Sequence, residues 1–423
     1  MSGELASARD AWSRQRVVLI LAAGYLATRL INFAALWVAS GWQTPTGPPN
    51  DLGAPTTYYV HTASPASPGL GGVLANWDGQ WYERIATDGY PSGADARSAN
   101  DAWVWQFPPL FPLAARFLML VTGLGFPVAS VLLNLVLGGI ATGLLYGIFR
   151  SAVSAPLALA GALSVNVFMT APLFNVAYSE PAALVFLLLA IREILARRYA
   201  MALLAVLALA FTRPVAAPLA LVFVVHWWSR LRSRNAMRPG WITHLTLTFC
   251  TVVSLVSPFL WSVTAALWLR DTQAITRNNG PISGSARAAS MASSFDFGWF
   301  HRAHDEAGWL GTGLLIVAVA IGLGLPVAAA RRLRLPTELQ VWGVGYTLFV
   351  LLVTPVTPGF FRYLLLVAPL LAAVPMWTLT WARKGVGIAA FSMICAVGLS
   401  SQWFWIRYIY ILDPAPALVP WSP

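Results

Sequence analysis

Charge is what this chain lacks most. Of its 423 residues only 10% are Asp, Glu, Lys or Arg, while 58% are hydrophobic. A water-soluble domain carries about 25% charged residues, so an ordinary soluble fold is excluded. Lipid offers no partners to backbone groups, so the composition points to closed helices: an all-α polytopic membrane protein. Lysine is nearly missing, with Lys384 alone. Cysteine is limited to Cys250 and Cys395, both in apolar segments. They supply neither a disulfide framework nor a cysteine-based metal site. There is no phosphate-loop glycine signature, no serine-nucleophile elbow and no HExxH run. The net charge of +11 would suggest nucleic acid for a soluble protein. Here the basic residues gather in short loops between apolar segments, as membrane topology requires, and nucleic acid is not an expected partner.

Apolar segments fall at 17–39, 127–149, 154–171, 181–196, 199–212, 215–229, 241–261, 308–330, 338–354, 361–382 and 386–406. They predict one integral membrane domain over 1–423 with about 11 crossings, in a range of about 9–13. The first segment is too long for a signal-peptide core and has no convincing cleavage site, so it reads as an anchor that stays. Arg9, Arg14 and Arg16 set the N-terminus in the cytoplasm of a multi-pass plasma-membrane protein. Alternation then gives the inner loops Arg150; Arg197 and Arg198; Arg230, Arg232, Arg234 and Arg238; Arg331, Arg332 and Arg334; Arg383 and Lys384. Every short basic cluster falls on one side, as the positive-inside rule demands.

Two extracytoplasmic regions are long, 40–126 and 262–307, and loops of that length usually carry function or disorder. The first begins with an irregular Pro/Gly/Thr-rich stretch, 44–72. It also holds an apolar piece, Phe107-Pro108-Pro109-Leu110-Phe111-Pro112 into Leu113–Leu124. The prolines and Arg116 argue for a helix lying at the outer face. Segments 199–212 and 215–229 are interrupted by Arg213-Pro214 and read as two short helices meeting at an indentation, with Arg213 facing a polar cavity.

Against this background of few acids, one stretch stands out: Asn76-Trp77-Asp78-Gly79-Gln80-Trp81-Tyr82-Glu83-Arg84-Ile85-Ala86. It sets an acid among tryptophans and a tyrosine in the first outer loop. The topology brings other polar residues to the same side: Asn175, Tyr178, Ser179 and Glu180 in one turn, Arg213 in another, and Arg362 and Tyr363 after Thr354-Pro355-Val356-Thr357-Pro358-Gly359. Ionisable residues at membrane depth are expensive and point to function by default. Each also has a structural reading. Asp78 and Glu180 are suited to helix starts, as cap or dipole partner. Arg213 and Arg362 are suited to snorkelling at the interface. Most of the tryptophans are belt residues, with Trp77, Trp81, Trp103 and Trp105 singled out because aromatic faces stack on sugar rings. His301, His304, Asp305 and Glu306 crowd together as a solvated surface; their spacing does not match a metal site. No cofactor is expected, and a divalent metal, though compatible with the chemistry, is not indicated.

The motifs resemble those of the PIG-V mannosyltransferases and their actinobacterial relatives. The resemblance lies in Trp77-Asp78-Gly79-Gln80-Trp81-Tyr82-Glu83-Arg84-Ile85-Ala86 with Gly89-Tyr90, and in Phe107-Pro108-Pro109-Leu110-Phe111-Pro112-Leu113 ending in Arg116. It continues in Tyr178-Ser179-Glu180, Thr212-Arg213-Pro214, and Arg362-Tyr363 followed by Pro369. The motifs keep the family's order over roughly 75–370. The resemblance implies a GT-C glycosyltransferase whose first extracytoplasmic loop carries an essential acid, here Asp78. It implies a polyprenyl-phosphate-sugar donor, most often of mannose, and a lipid-linked glycan acceptor. The arginine-rich, nearly lysine-free composition looks actinobacterial, where the GPI acceptor of eukaryotic members is not expected.

The expected chemistry is inverting transfer. Asp78 accepts the acceptor's proton. Arg362, with Arg213, Arg277 and Arg287 as further candidates, binds the donor phosphate through the planar guanidinium fork. Glu180 orients the acceptor or holds an arginine. Trp77, Trp81, Tyr82, Tyr178 and Tyr363 are the candidates for contact with sugar or acceptor. The same carboxylate-and-arginine set suits transfer of arabinofuranose or glucose. A lipid or glycan flippase is the competing class, but no hydropathy repeat between halves and no chain of intramembrane acids supports it. A non-catalytic assembly subunit or receptor, in which the acid is dispensable, is a third.

Overall fold

The computed structural model describes residues 14–43, 69–92, 104–232, 240–269, 298–354 and 359–412. Among the described residues there is no strand. The helices are α1 (Arg14–Ala39), α2 (Gly69–Leu74), α3 (Asp78–Asp88), α4 (Leu110–Thr122), α5 (Phe126–Arg150), α6 (Ala155–Ser164), α7 (Glu180–Leu195), α8 (Tyr199–Ala210), α9 (Leu219–Arg232), α10 (Trp241–Leu269), α11 (Gly298–Arg332), α12 (Thr337–Val353), α13 (Phe360–Tyr363), α14 (Ala368–Leu371), α15 (Ala373–Thr378) and α16 (Lys384–Trp405).

Among the described residues five helices are long and apolar enough to cross a membrane: Arg14–Trp42, Phe126–Arg150, Trp241–Leu269, Trp299–Arg332 and Lys384–Tyr410. Their outward residues are as apolar as a core, with Leu30, Trp268, Leu310 and Met393 all largely exposed. The chain is therefore a membrane protein. A sixth span exists only if Phe360–Leu366 and Ala368–Thr378, bent by 67°, count as one.

Of the expected 11 crossings, the others are shorter helices, and the reasons are local. Segment 154–171 ends its α-helix at Ser164. There Asn166 turns its amide onto Ala162 O at 3.2 Å and Thr142 Oγ1 at 3.1 Å, a side-chain alternative that competes with the helix. The chain then continues in 3₁₀ turns at Val165–Val167 and Ala171–Asn175. Segment 361–382 is likewise broken into α13, a 3₁₀ turn at Leu364–Leu366, α14 and α15. It carries Pro369 and Pro375, which cannot donate to a continuing helix. The 16-residue α7 rises only about 24 Å, short of a ~30 Å hydrocarbon core. The interruption at Arg213-Pro214 does separate α8 from α9.

The acidic motif of the first long region lies on a helix, α3. The second region shrinks from both sides, since α10 runs to Leu269 and α11 starts at Gly298, with a kink at Ala307 and Gly308.

The helix that organises the interior is α7. It packs against α5, α8 and α12, and twelve of its sixteen residues are buried. Its apolar run from Pro181 to Ile191 suits an interior helix. Its first residue, Glu180, is fully buried, so an acid leads a largely enclosed helix.

Candidate active site

Four ionisable side chains from four separate turns meet at one place. Asp78, first residue of α3, accepts from Arg362 Nη1 at 2.7 Å. Glu180, first residue of α7, lies 2.8 Å from Arg213 Nη1 and 3.7 Å from Arg362 Nε. Arg213 follows α8 and Arg362 sits in α13. All four are removed from solvent: side-chain exposure is 14% for Asp78, 8% for Arg362, 10% for Arg213 and zero for Glu180. The result is a chain of alternating charge, Asp78–Arg362–Glu180–Arg213. Snorkelling does not describe arginines buried against acids.

The backbone explains how the acids come together. Ala177 N–H donates to Leu74 O at 2.8 Å, which lays the segment before α7 along the segment before α3. Asn134 of α5 clamps the same strip, donating to Val176 O at 2.6 Å and to Tyr178 O at 2.8 Å. Gly79 makes the approach possible, since a Cβ there would stand 3.3 Å from Ala177 O. Two helix N-termini thus converge, each beginning with its acid, where the helix dipole favours negative charge. The residue before Asp78 is strained: Trp77 has φ 55° and ψ −117°, a region non-glycine residues seldom occupy. It is held there by its indole N–H, which donates to Tyr410 O at 2.8 Å, while Tyr410 OH donates to Val73 O at 2.7 Å. The cap positions belong to Trp77 and Ser179, neither of which makes a side-chain cap bond, and each acid, one residue on, faces the arginines.

Tyrosines frame the charges. Arg362 lies over the Tyr178 ring at 5.4 Å and the Tyr363 ring at 5.1 Å, and Arg213 over Tyr363 at 5.3 Å, within cation–π range. Arg362 Nη2 also donates to Tyr363 OH at 3.3 Å. Ser179 Oγ accepts from Arg213 at 3.1 Å and shares a proton with Tyr82 OH at 2.7 Å. Burial pushes the Tyr82 hydroxyl above its ordinary pKa, and Asp78 and Glu180 add to that against the opposing pull of Arg213. It therefore stays a neutral hydroxyl.

Several expectations change here. Trp77, Trp81, Tyr82 and Tyr178 are all buried, so their faces are not open to a sugar in this conformation. Trp81 stacks on Phe107, Tyr82 packs edge-on to Phe107 and Phe111, and Trp77 belongs to the main core. Trp105 is buried too, stacked on Trp261. Of the proposed contact aromatics only Tyr363 keeps appreciable exposure. Arg277, Arg287 and Trp103 lie outside the described residues. His301, His304, Asp305 and Glu306 are exposed on α11, and Glu306 pairs with Arg302.

Three supporting residues were missed in the sequence. Arg29 is a buried cation of α1 that donates to Ala171 O at 2.6 Å, Asn166 O at 3.0 Å and Asn175 Oδ1 at 3.1 Å. It ties down the broken segment leading to Glu180, and an arginine inside an apolar run is itself a signal. Asn134 is the second. Tyr346, fully buried on α12, is the third, and nothing in an apolar helix distinguishes such a ring from packing.

No family model matches the chain and no curated protein matches it, so the PIG-V resemblance rests on the motifs alone. Among solved structures the chain is similar to the archaeal oligosaccharyltransferase AglB from Archaeoglobus fulgidus, in complex with an inhibitory peptide and a dolichol-phosphate. The TM-score is 0.50 at 11% identity, over 95% of this chain and 57% of that one. A crystal structure of the Archaeoglobus fulgidus oligosaccharyltransferase, tethered with an acceptor peptide containing the NVT sequon, matches at TM-score 0.43 and 11% identity. That match covers 91% of this chain and 55% of the other, and its score is too low to argue from. The chain spans little more than half the length of the structures it matches. The likeness is one of fold.

Proposed function

We propose that the chain is a multi-pass membrane glycosyltransferase of the inverting type. It moves a sugar, mannose by its motifs, from a polyprenyl-phosphate donor to a lipid-linked glycan on the extracytoplasmic side. The likeness of fold supports the class, and the match to a protein solved with a dolichol-phosphate supports a lipid-phosphate substrate. The observation that carries the reading is the buried contact of Asp78 with Arg362. A potential base and a potential phosphate ligand share one enclosed place, although 284 residues separate them.

The acceptor hydroxyl oxygen attacks the anomeric carbon from the face opposite the phosphate. The bond from that carbon to the phosphate oxygen breaks, its electron pair leaves with the polyprenyl phosphate, and the hydroxyl proton passes to Asp78. The leaving group is already an anion, so it needs cationic stabilisation more than a general acid. Arg362 and Arg213 supply it. Glu180 stands between the two arginines and holds both in place. A polyprenyl phosphate that keeps its tail in the outer leaflet reaches such a site without leaving the membrane.

Asp78→Asn tests the assignment. It is expected to express and fold while losing transfer from radiolabelled polyprenyl-phosphate-mannose by on the order of 10²–10⁴. A wild-type rate in the purified variant would falsify the role of Asp78. Running the same assay with glucose and arabinofuranose donors identifies the sugar, and the glycolipid that accumulates in a deletion strain identifies the acceptor.

A further inference from the structure

Asp78 is the wrong shape for an idle base. Its Oδ2 is already engaged by Arg362 Nη1 at 2.7 Å, with both side chains largely buried. Protonating a carboxylate in a buried ion pair strands the cation, which is strongly unfavourable. Something must take Arg362 before Asp78 can accept a proton.

The surroundings indicate what that is. Two nitrogens and a hydroxyl of the charge chain and its frame are buried and make no hydrogen bond: Arg362 Nε, Arg213 Nε and Tyr178 OH. Both Glu180 oxygens make none either, but they are ion-paired with the arginines. Buried polar atoms are nearly always satisfied, and exceptions call for an explanation. The two nitrogens and the hydroxyl can donate. The Tyr178 ring lies beneath Arg362. Two helix N-termini, those of α3 and α7, open on the same place. Idle donors, guanidinium groups and helix N-termini together suit an oxyanion with several acceptor oxygens.

We propose that the Asp78–Arg362 pair is a latch opened by the donor's phosphate: the anion takes Arg362 and the idle donors around it, and only then is Asp78 free to act as a base. The inference rests on the transferase reading and adds an order to it. Donor binds first. An acceptor hydroxyl that arrives early finds the carboxylate closed.

The test is equilibrium binding of farnesyl phosphate to the purified full chain in detergent, followed by tryptophan fluorescence. The carboxylate and the phosphate compete for one guanidinium, so Asp78→Asn is expected to bind about tenfold tighter than wild type or better, while losing transfer; tenfold corresponds to about 1.4 kcal/mol. Glu83→Gln removes the same charge from the same helix at a residue that makes no ion pair with Arg362, and is expected within about twofold of wild type. Farnesol, which has the tail and no phosphate, is expected to bind wild type and Asp78→Asn alike, and inorganic phosphate to share the preference for Asp78→Asn.

Equal or weaker binding of farnesyl phosphate by Asp78→Asn overturns the latch. So does an equal gain in Glu83→Gln or a gain with farnesol. If that variant is inactive but binds like wild type, only the latch is lost; if it transfers sugar normally, the base assignment itself is lost. Should Asp78→Asn not fold, wild-type initial rates decide: ordered binding with donor first is expected, and random order refutes it.

Discussion

Two buried polar networks lie at opposite ends of α8, and they are built on different principles. Beside Tyr199, its first residue, His226 Nδ1 meets Glu338 Oε1 at 2.7 Å and His226 Nε2 meets Tyr199 OH at 3.2 Å. Arg230 Nη1 donates to the same hydroxyl at 2.8 Å. Both ring nitrogens are used and the single acid is matched, leaving only Arg230 Nε idle. Beyond the other end, the chain from Asp78 to Arg213, with Tyr178 beneath it, leaves three donors and both Glu180 oxygens without a hydrogen bond. A satisfied network fixes a packing arrangement, while a half-satisfied one is costly unless a ligand completes it. The contrast therefore separates a structural joint between α8, α9 and α12 from a site.

Three substitutions sharpen or break this contrast. The largest effect is expected from Glu180→Gln, which leaves two buried arginines with one acid. Breaking a buried pair from one side costs about 3–5 kcal/mol, so thermal unfolding in detergent should shift strongly and transfer should fall below detection. A variant that melts with wild type would mean the charge chain is not coupled to the fold. Next comes Glu338→Gln at the joint. Hydrogen bonds to charged groups contribute about 1.5–3 kcal/mol, so stability should drop while kcat in the surviving folded protein stays at the wild-type value. A changed donor KM there would erase the distinction between the two networks. The smallest is Asn134→Ala, which frees the carbonyls of Val176 and Tyr178 and is expected to cost about 1–2 kcal/mol. Its signature is a fall in kcat beyond that stability loss, because the strip it clamps carries Glu180; stability loss alone would make Asn134 a packing residue only.

What the sequence made legible follows from scarcity. In a chain with 16 acids, Asp78 and Glu180 had to be spent on something. The alternation of basic loops brought them to one side with Arg213 and Arg362. Arg29 is equally visible as a cation in an apolar run, inside the segment that reads as an anchor. The helix count fared worse. Hydropathy reports what a segment is made of, and the breaks at Asn166, Pro369 and Pro375 lie inside runs that remain apolar throughout. Aromatic roles were not readable at all. Trp77 and Trp81 have the right chemistry for a sugar, but whether a ring faces a cavity or the core depends on partners such as Tyr410 and Phe107, far away in sequence.

The stitch between Trp77 and Tyr410 bears on when this protein can begin to work. The backbone just ahead of Asp78 is held in its unfavourable twist by a carbonyl that the ribosome adds more than 300 residues later. The acid-bearing motif therefore emerges long before the residue that holds it. Until synthesis has passed Tyr410, the backbone ahead of Asp78 lacks the carbonyl that fixes its twist.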